Sequence, residues 1–201
     1  MLRHDTTMTL YRIVPFIGLF LLLLPAVPDA ARADGPAAFM KLAGTQMIAA
    51  ARSRSHPMMT AVIQRYSDLP DIGLFSLGAY RKHLPSSRRS AYYKGVARFM
   101  ARYFIDQGGQ YSVAKFQVVK QSTKASWGYK VDSQVTLTND EVHRLRWHVV
   151  PRRGGYKVRD VSILGVWITP ISMVDQQKNL FEGYIRDRGG KLSALLSALG
   201  S

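Results

Sequence analysis

The stretch Tyr156–Ile168, YKVRDVSILGVWI, constrains this chain more than any other. It follows the Gly154-Gly155 pair and is rich in β-branched residues with a single glycine, so it reads as a long strand. Its alternation changes phase. Tyr156 and Val158 share one face, Val161 and Ile163 belong to the other, and Leu164, Val166 and Ile168 return to the first. A strand apolar on both faces is either sandwiched between two layers or bulged so that it lines a cavity. The elements before it then form the walls of that cavity, and those after it a lid.

Those walls follow from the hydrophobic periods. Pro36 opens a helix with Phe39, Leu42, Ala43 and Met47 at helical spacing, broken by Ser53–Pro57. A short helix over Met58–Tyr66 turns Val62, Ile63 and Tyr66 to one side, and Asp71 is the expected N-cap of a third. Ser86-Ser87 is the expected cap of the longest helix, which runs to about Gln107 with a stripe of Tyr92, Val96, Phe99, Met100, Tyr103 and Phe104. The period then falls to two, with strands over Val113–Gln121, over Trp127 to Leu137, over Glu141–Val150, and the opening stretch as the fourth. Trp127, Tyr129, Val131, Val135 and Leu137 share one face of the second strand; His143, Leu145, Trp147 and Val149 share one face of the third. Four consecutive strands with short turns predict an α+β fold: a curled antiparallel four-stranded sheet, with an NTF2-like cavity, packed against several helices. A helix over Met173–Arg186 and a short one carrying Leu192, Leu195, Leu196 and Leu199 follow.

Residues 1–33 read as a signal peptide rather than as part of the fold. Arg3 and Arg12 precede the apolar run Ile13–Pro25, and Ala31-Arg32-Ala33 offers an A-x-A cleavage site. The run falls short of the ~20 residues that span a bilayer. Residues 34–201 are then one domain. The signal contributes three arginines against two aspartates, so the remainder keeps nearly all of the formal charge of +15. Such a balance favours anionic partners.

The side chains that carry chemistry are sparse. There is no cysteine, which excludes disulfides, thiolate metal sites and a cysteine nucleophile. His143 and His148 are five apart on a strand, point to opposite faces and cannot chelate together. No HExxH, G-x-S-x-G or phosphate-cradling glycine loop is present. Asp160 is the one acidic residue of the central strand. It could serve as a general base, with His143 its only nominee partner in a small enzyme, but pairing with an arginine such as Arg159 or Arg146, or exposure beyond a bulge, is favoured. Aromatics alternate with lysines near Trp127–Tyr129, as on a single-strand platform, yet the aromatics occupy the face expected to be buried, so no nucleic-acid partner is expected. No enzyme activity and no cofactor are expected either.

Taken in order, several segments resemble the MlaC family of periplasmic phospholipid-binding proteins, also called toluene-tolerance components. They are Phe39–Ala43, then Asp71-Ile72-Gly73-Leu74-Phe75-Ser76-Leu77-Gly78-Ala79-Tyr80-Arg81, then the helix from Tyr92 to Tyr103. The most specific is Tyr156–Trp167, similar to the family's W-x-V-x-D-(V)-x-(V)-x-G-V-S; Gln176–Phe181 and the Gly189-Gly190 tail follow. Three positions depart from the pattern: Tyr156 replaces a tryptophan, Trp167 a serine, and Gln176 or Gln177 an arginine.

The resemblance implies a soluble periplasmic carrier of a phospholipid. It would shuttle between an outer-membrane lipoprotein complex and the substrate-binding component of an inner-membrane ABC transporter; a hopanoid or other-lipid carrier of the same family is the nearest variant. A two-tailed lipid exposes roughly 30 CH₂ groups at ~0.8 kcal/mol each, so carrying it through water requires a cavity that hides both tails. The expected lipid-binding residues are Phe75, Leu77, Tyr80, Phe99, Tyr103, Trp127, Tyr129, Trp147, Val149, Val161, Ile163, Val166 and Ile168. The expected headgroup rim is Arg81, Lys82, Arg144 and Arg146. A protein-binding envelope module with a filled core is the competing reading, since a core and a lipid pocket have the same composition.

Overall fold

The structure, a computed structural model, describes residues 35–108, 113–119, 122–165 and 169–200. The boundary of the expected signal peptide lies outside these residues, as do Val166 and Ile168. Helix α1 (Pro36–Arg52) begins with proline in its first turn, where the missing N–H costs nothing. Helix α2 (His56–Tyr66) is capped by Ser55, whose side chain accepts from the Met58 N–H. Helix α3 (Leu69–Ser76) starts earlier than its sequence suggests. Its N-cap position is Asp68, and Asp71 falls in the first turn, because the Asp68 N–H is tied to the Val158 carbonyl at 2.8 Å and Pro70 fits inside the turn. Two 3₁₀ segments, Gly78–His83 and Ser86–Arg88, lead into α4 (Arg89–Gly108), so Ser86-Ser87 opens a 3₁₀ turn instead of capping the long helix.

The sheet has six strands, not four: β1 (Val113–Val118), β2 (Thr123–Ala125), β3 (Gly128–Leu137), β4 (Val142–Arg152), β5 (Gly155–Leu164) and β6 (Ile171–Ser172). All pairings are antiparallel, in the order β1-β3-β4-β5-β6, with β2 sharing the β3 edge with β1. The expected first strand, Val113–Gln121, is therefore a shorter β1, and β2 lies beyond it, in the stretch before the expected second strand. The expected last strand stops at Leu164. Gly165 takes φ 83°, and the chain comes back to lay Ile171 against Ile163. Helix α5 (Met173–Arg186) and helix α6 (Leu192–Ala198) complete the described chain.

The phase change in β5 is a bulge. His148 pairs with Asp160 and Val149 with Val158, which leaves Arg159 as the extra residue. That single insertion brings Tyr156, Val158, Val161 and Ile163 to one face, beside Val149, Trp147 and Leu145 of β4. On this face α1, α2 and α4 bury Phe39, Met40, Met59, Ile63, Tyr66, Ala97 and Ala101 against Val131, Trp147, Val149 and Val158. A second core gathers Ile72, Leu77, Tyr92, Val96, Phe181, Ile185 and Leu195 from α3, α4, α5, α6 and the residue after α3. Helix α4 serves both. Tyr92, Val96, Ala97, Ala101 and Ile105 are its buried contacts, whereas Phe99, Met100 and Phe104 are half-buried and Tyr103 is 43% exposed. Met100 and Leu69 pack against both cores, so a seam runs between them.

Gly128, at the start of β3, has φ 149°, and a Cβ there would lie 2.4 Å from the Val149 carbonyl oxygen, which is backbone and cannot rotate away. Gly128→Ala is expected to destabilise the fold by about 2 kcal/mol or more, measured as a shift of the urea midpoint. An unchanged midpoint would show that β3 and β4 do not meet in this register.

Candidate functional site

The seam between the two cores is not filled. Phe99, Met100, Tyr103 and Phe104 of α4 face Met173, Gln176, Gln177 and Leu180 of α5 across a cleft of about 280 Å³, floored by Val161 of β5. Behind it a chamber of about 40 Å³ is bounded by Met47, Val62, Ile63, Tyr66, Trp147 and Val158. Met100, Phe104 and Val161 line both voids, so the two are adjacent compartments of one apolar space. Tyr103 and Leu180 stand at its exposed edge, at 43% and 53% exposure. A cavity of this composition, mostly apolar with Gln176 and Gln177 in the cleft and Ser67 and Asp160 in the chamber, offers burial to hydrocarbon.

Several polar groups around it are used structurally, while the buried Tyr66 hydroxyl of the chamber has no hydrogen-bond partner among the described residues. Asp160 Oδ1 accepts from the Val161 N–H at 2.8 Å and from the Val174 N–H at 3.1 Å, which holds the first turn of α5 against the bulge. Ser172 caps the same helix by accepting from the Asp175 N–H at 3.0 Å. The favoured arginine partners of Asp160 are occupied elsewhere: Arg159 lies 2.6 Å from Asp71, and Arg146 grips both carboxylate oxygens of Asp132 at 2.8 and 2.9 Å. Gln177, one of the two residues at the family's arginine position, is buried. It donates from Nε2 to Ser76 Oγ at 2.8 Å, and Ser76 donates to the Ile72 carbonyl at 2.7 Å. Tyr92 donates to the Gly73 carbonyl at 2.8 Å, and its burial pushes the phenol well above the ordinary tyrosine range. Helix α3 is thus tied to both α4 and α5 by buried bonds.

A third void, of about 250 Å³, lies on the other side of Asp160 and is lined by residues including Phe75, Trp127, His148, Arg159 and Asp175. His148 Nδ1 is 3.9 Å from Asp160 Oδ2. Burial lowers the His148 pKa below the ordinary histidine value; the Asp160 carboxylate works against that shift, while Lys130, Arg146 and Arg159 add to it.

The expected lipid-binding residues fall into groups. Phe99, Tyr103 and Val161 line the cleft, and Trp147 and Val161 line the chamber. Trp147 also donates from Nε1 to Ser133 Oγ at 2.8 Å. Phe75 and Trp127 line the third void instead. Trp127 lies in the β2–β3 turn, not on the inner face with Tyr129, and its ring centroid is 4.7 Å from that of His148. Leu77 and Val149 are fully buried core, Tyr80 and Tyr129 pack half-buried against the two cores, and Ile163 sits between Leu145 and Ile171 in the sheet. Val166 and Ile168 lie outside the described residues. None of the four rim residues lines the cleft or the chamber. Arg81 and Lys82 are exposed on the Gly78–His83 segment, Arg144 is exposed on β4, and Arg146 belongs to Asp132. The sequence reading missed Met47, Val62, Ile63, Tyr66, Met100, Phe104, Met173 and Leu180 as cavity wall. Their helical spacing marks an inward face and does not say whether that face meets protein or a void.

Among the described residues no helix is long and apolar enough to cross a membrane, and no group of three or more His, Cys, Asp or Glu is placed to hold a metal ion. The family model for the MlaC protein matches residues 38–201. A solved structure of the phospholipid-binding protein from Ralstonia solanacearum, in complex with a phospholipid, is similar to this chain. It has a TM-score of 0.63 and 20% sequence identity, over 80% of this chain and 92% of that one. At that identity the likeness is one of fold. No curated protein matches the chain.

Because His148 is held below its ordinary pKa, the unfolded chain takes up its proton first as the pH falls through about 6.5, and stability is lost there. His148→Gln is expected to flatten the fall in urea midpoint between about pH 7.5 and 5.5. A variant with the wild-type slope would remove His148 from the account of acid sensitivity.

Proposed function

This chain belongs to the MlaC family, and from that premise we propose that it is a carrier that holds a phospholipid by its acyl chains in the space between α4, α5 and β5. The observation that carries the proposal is the apolar cleft beside a small, mostly apolar chamber along the seam of the two cores. The phospholipid bound by the Ralstonia solanacearum protein of the same fold supports the ligand class. The mechanism is binding and hand-over without covalent chemistry. Each methylene moved out of water gains ~0.8 kcal/mol, so the acyl chains supply the affinity while the headgroup stays at the solvent edge. Tyr103 and Leu180, already exposed at the edge of the cleft, are where a chain first meets apolar surface.

The same reading extends to the cell. Residues 1–33 are a signal peptide cleaved near Ala33, and the mature domain works in the periplasm. There it moves lipid between an outer-membrane lipoprotein complex and the substrate-binding component of an inner-membrane ABC transporter. Family membership supports this placement, and the buried tails are what make a trip through water feasible. Residual closed volume is small for two tails, so loading requires α5 to yield. Among the described residues its hydrogen-bonded links to the sheet are the Asp160 cap and the short β5–β6 pairing that leads into it.

The test is lipid extraction. Purified protein is incubated with phosphatidylethanolamine–phosphatidylglycerol vesicles, recovered free of them, and assayed for bound phosphorus. Val161→Trp places an indole where the cleft and chamber meet. Wild type is expected to carry lipid in stoichiometric amount, and the variant about tenfold less, with stability changed by no more than about 1–3 kcal/mol. Undiminished loading of a folded Val161→Trp variant would place the tails elsewhere, and a wild type that acquires no lipid would overturn the carrier reading.

A further inference from the structure

A second concave surface lies apart from the lipid cleft. The end of α2, the start of α3, the first two turns of α4 and the β4–β5 hairpin enclose an open groove of about 770 Å³. Its charged lining is Arg89, Lys94, Arg152 and Lys157 against a single carboxylate, Asp68. Asp68 is already engaged by Arg152, whose guanidinium also reaches Asp71 at 4.0 Å. Arg89 and Lys94 are exposed and meet no carboxylate among the described residues. The Ser86 and Ser90 side chains add hydroxyl donors to the same wall.

Lys157 sharpens the picture. Its ammonium donates to the Arg65 carbonyl, and burial together with the nearby Arg65 charge lowers its pKa, while Asp68 pulls the other way. A cation kept partly desolvated beside other cations is stabilised by any anion that enters the groove.

We propose that this groove is a docking site for an acidic segment of a partner protein, an extended or looped stretch rich in Asp and Glu. The choice among anions follows from shape and position. An extended segment can follow the recess between α2, α4 and the β4–β5 hairpin and meet Arg89, Lys94, Arg152 and Lys157 together, which a flat bilayer surface does less completely. The headgroup of a lipid whose tails lie between α4 and α5 sits toward the other end of α4 from Arg89. Ser67 borders both the groove and the chamber, and the parallel Ser67–Val158 bridge and the bond from the Asp68 N–H to the Val158 carbonyl run between them. Arg89 and Tyr103 are separated by about 20 Å along α4. No lining residue comes from α5, so a partner seated here leaves the cleft open for transfer. A basic surface of this kind accelerates encounter and fixes orientation more than it adds affinity.

The test uses a fluorescently labelled decaglutamate peptide as the acidic probe, with binding read by anisotropy at physiological ionic strength. Arg89→Glu/Lys94→Glu is expected to weaken binding about tenfold, and the milder Arg89→Gln/Lys94→Gln by an intermediate factor. The control Lys115→Glu/Lys124→Glu makes the same change of net charge on exposed edge-strand positions and is expected to weaken it less than about twofold. All variants keep wild-type lipid loading from vesicles, so failure of the groove and failure of the carrier reading are separable. Equal losses in the groove variant and the control would reduce the effect to diffuse attraction and overturn the proposal. So would loss of binding to phosphatidylglycerol vesicles with peptide binding intact, or competition of the peptide by inorganic phosphate at low concentration.

Discussion

The one-residue bulge at Arg159 in β5 is the constraint on which the rest of the molecule depends. Without it Val158 and Val161 would point to opposite faces of the sheet, and only one of them could help to enclose a cavity. With it, four apolar side chains of one strand line up behind α2 and α4. The same insertion turns Asp160 toward the first turn of α5, where the carboxylate accepts from the Val174 N–H, and sends Arg159 out to Asp71 of α3. One backbone irregularity thereby shapes the floor of the cleft and anchors α5, which flanks it, and α3 behind it. A protein that keeps a cavity needs such devices, because close packing elsewhere would otherwise close it.

The architecture that results is two cores sharing one helix. Helix α4 meets the sheet-side core with alanines and the second core with Tyr92 and Val96, and it leaves its larger side chains at the seam. Small residues at the contacts allow close approach, and the aromatic stripe is freed to line a void. The polar links from α3, through Tyr92 to α4 and through Ser76 and Gln177 to α5, stiffen the back of that arrangement. The front, where Tyr103 and Leu180 reach solvent, has no such bonds between the two helices among the described residues. Stability and access are divided between the two ends of the same pair of helices.

Much of this was legible in the sequence. The change of period from 3.6 to 2, the inner and outer faces of β3 and β4, and the alternative of a bulge in β5 all follow from residue spacing, and the structure has them. Strand β2 was not legible, because its three residues, Thr123–Ala125, lie between the first two expected strands and carry no apolar alternation. Trp127 was assigned to the inner face by alternation, but a turn at Ser126-Trp127 breaks the count and its ring goes to His148. The expected cation rim is a different case, since none of its four residues lines the cleft or the chamber. Arg81, Lys82, Arg144 and Arg146 are basic and near apolar residues in sequence, yet proximity to the cleft is decided by helix packing that spacing does not encode. Cavity wall and core remain indistinguishable by composition, as Leu77 and Val149, both fully buried, show.

The central claim is that acyl chains occupy the seam between the two cores. It is tested most directly by loading the protein with a phospholipid that carries a diazirine near the end of one acyl chain, irradiating it and mapping the adducts by mass spectrometry. The account predicts adducts on the cleft and chamber walls, at Met47, Val62, Met100, Phe104 and their neighbours. Adducts confined to the face of the sheet that carries Arg144 and Arg146, or to the groove around Arg89 and Lys94, would contradict it.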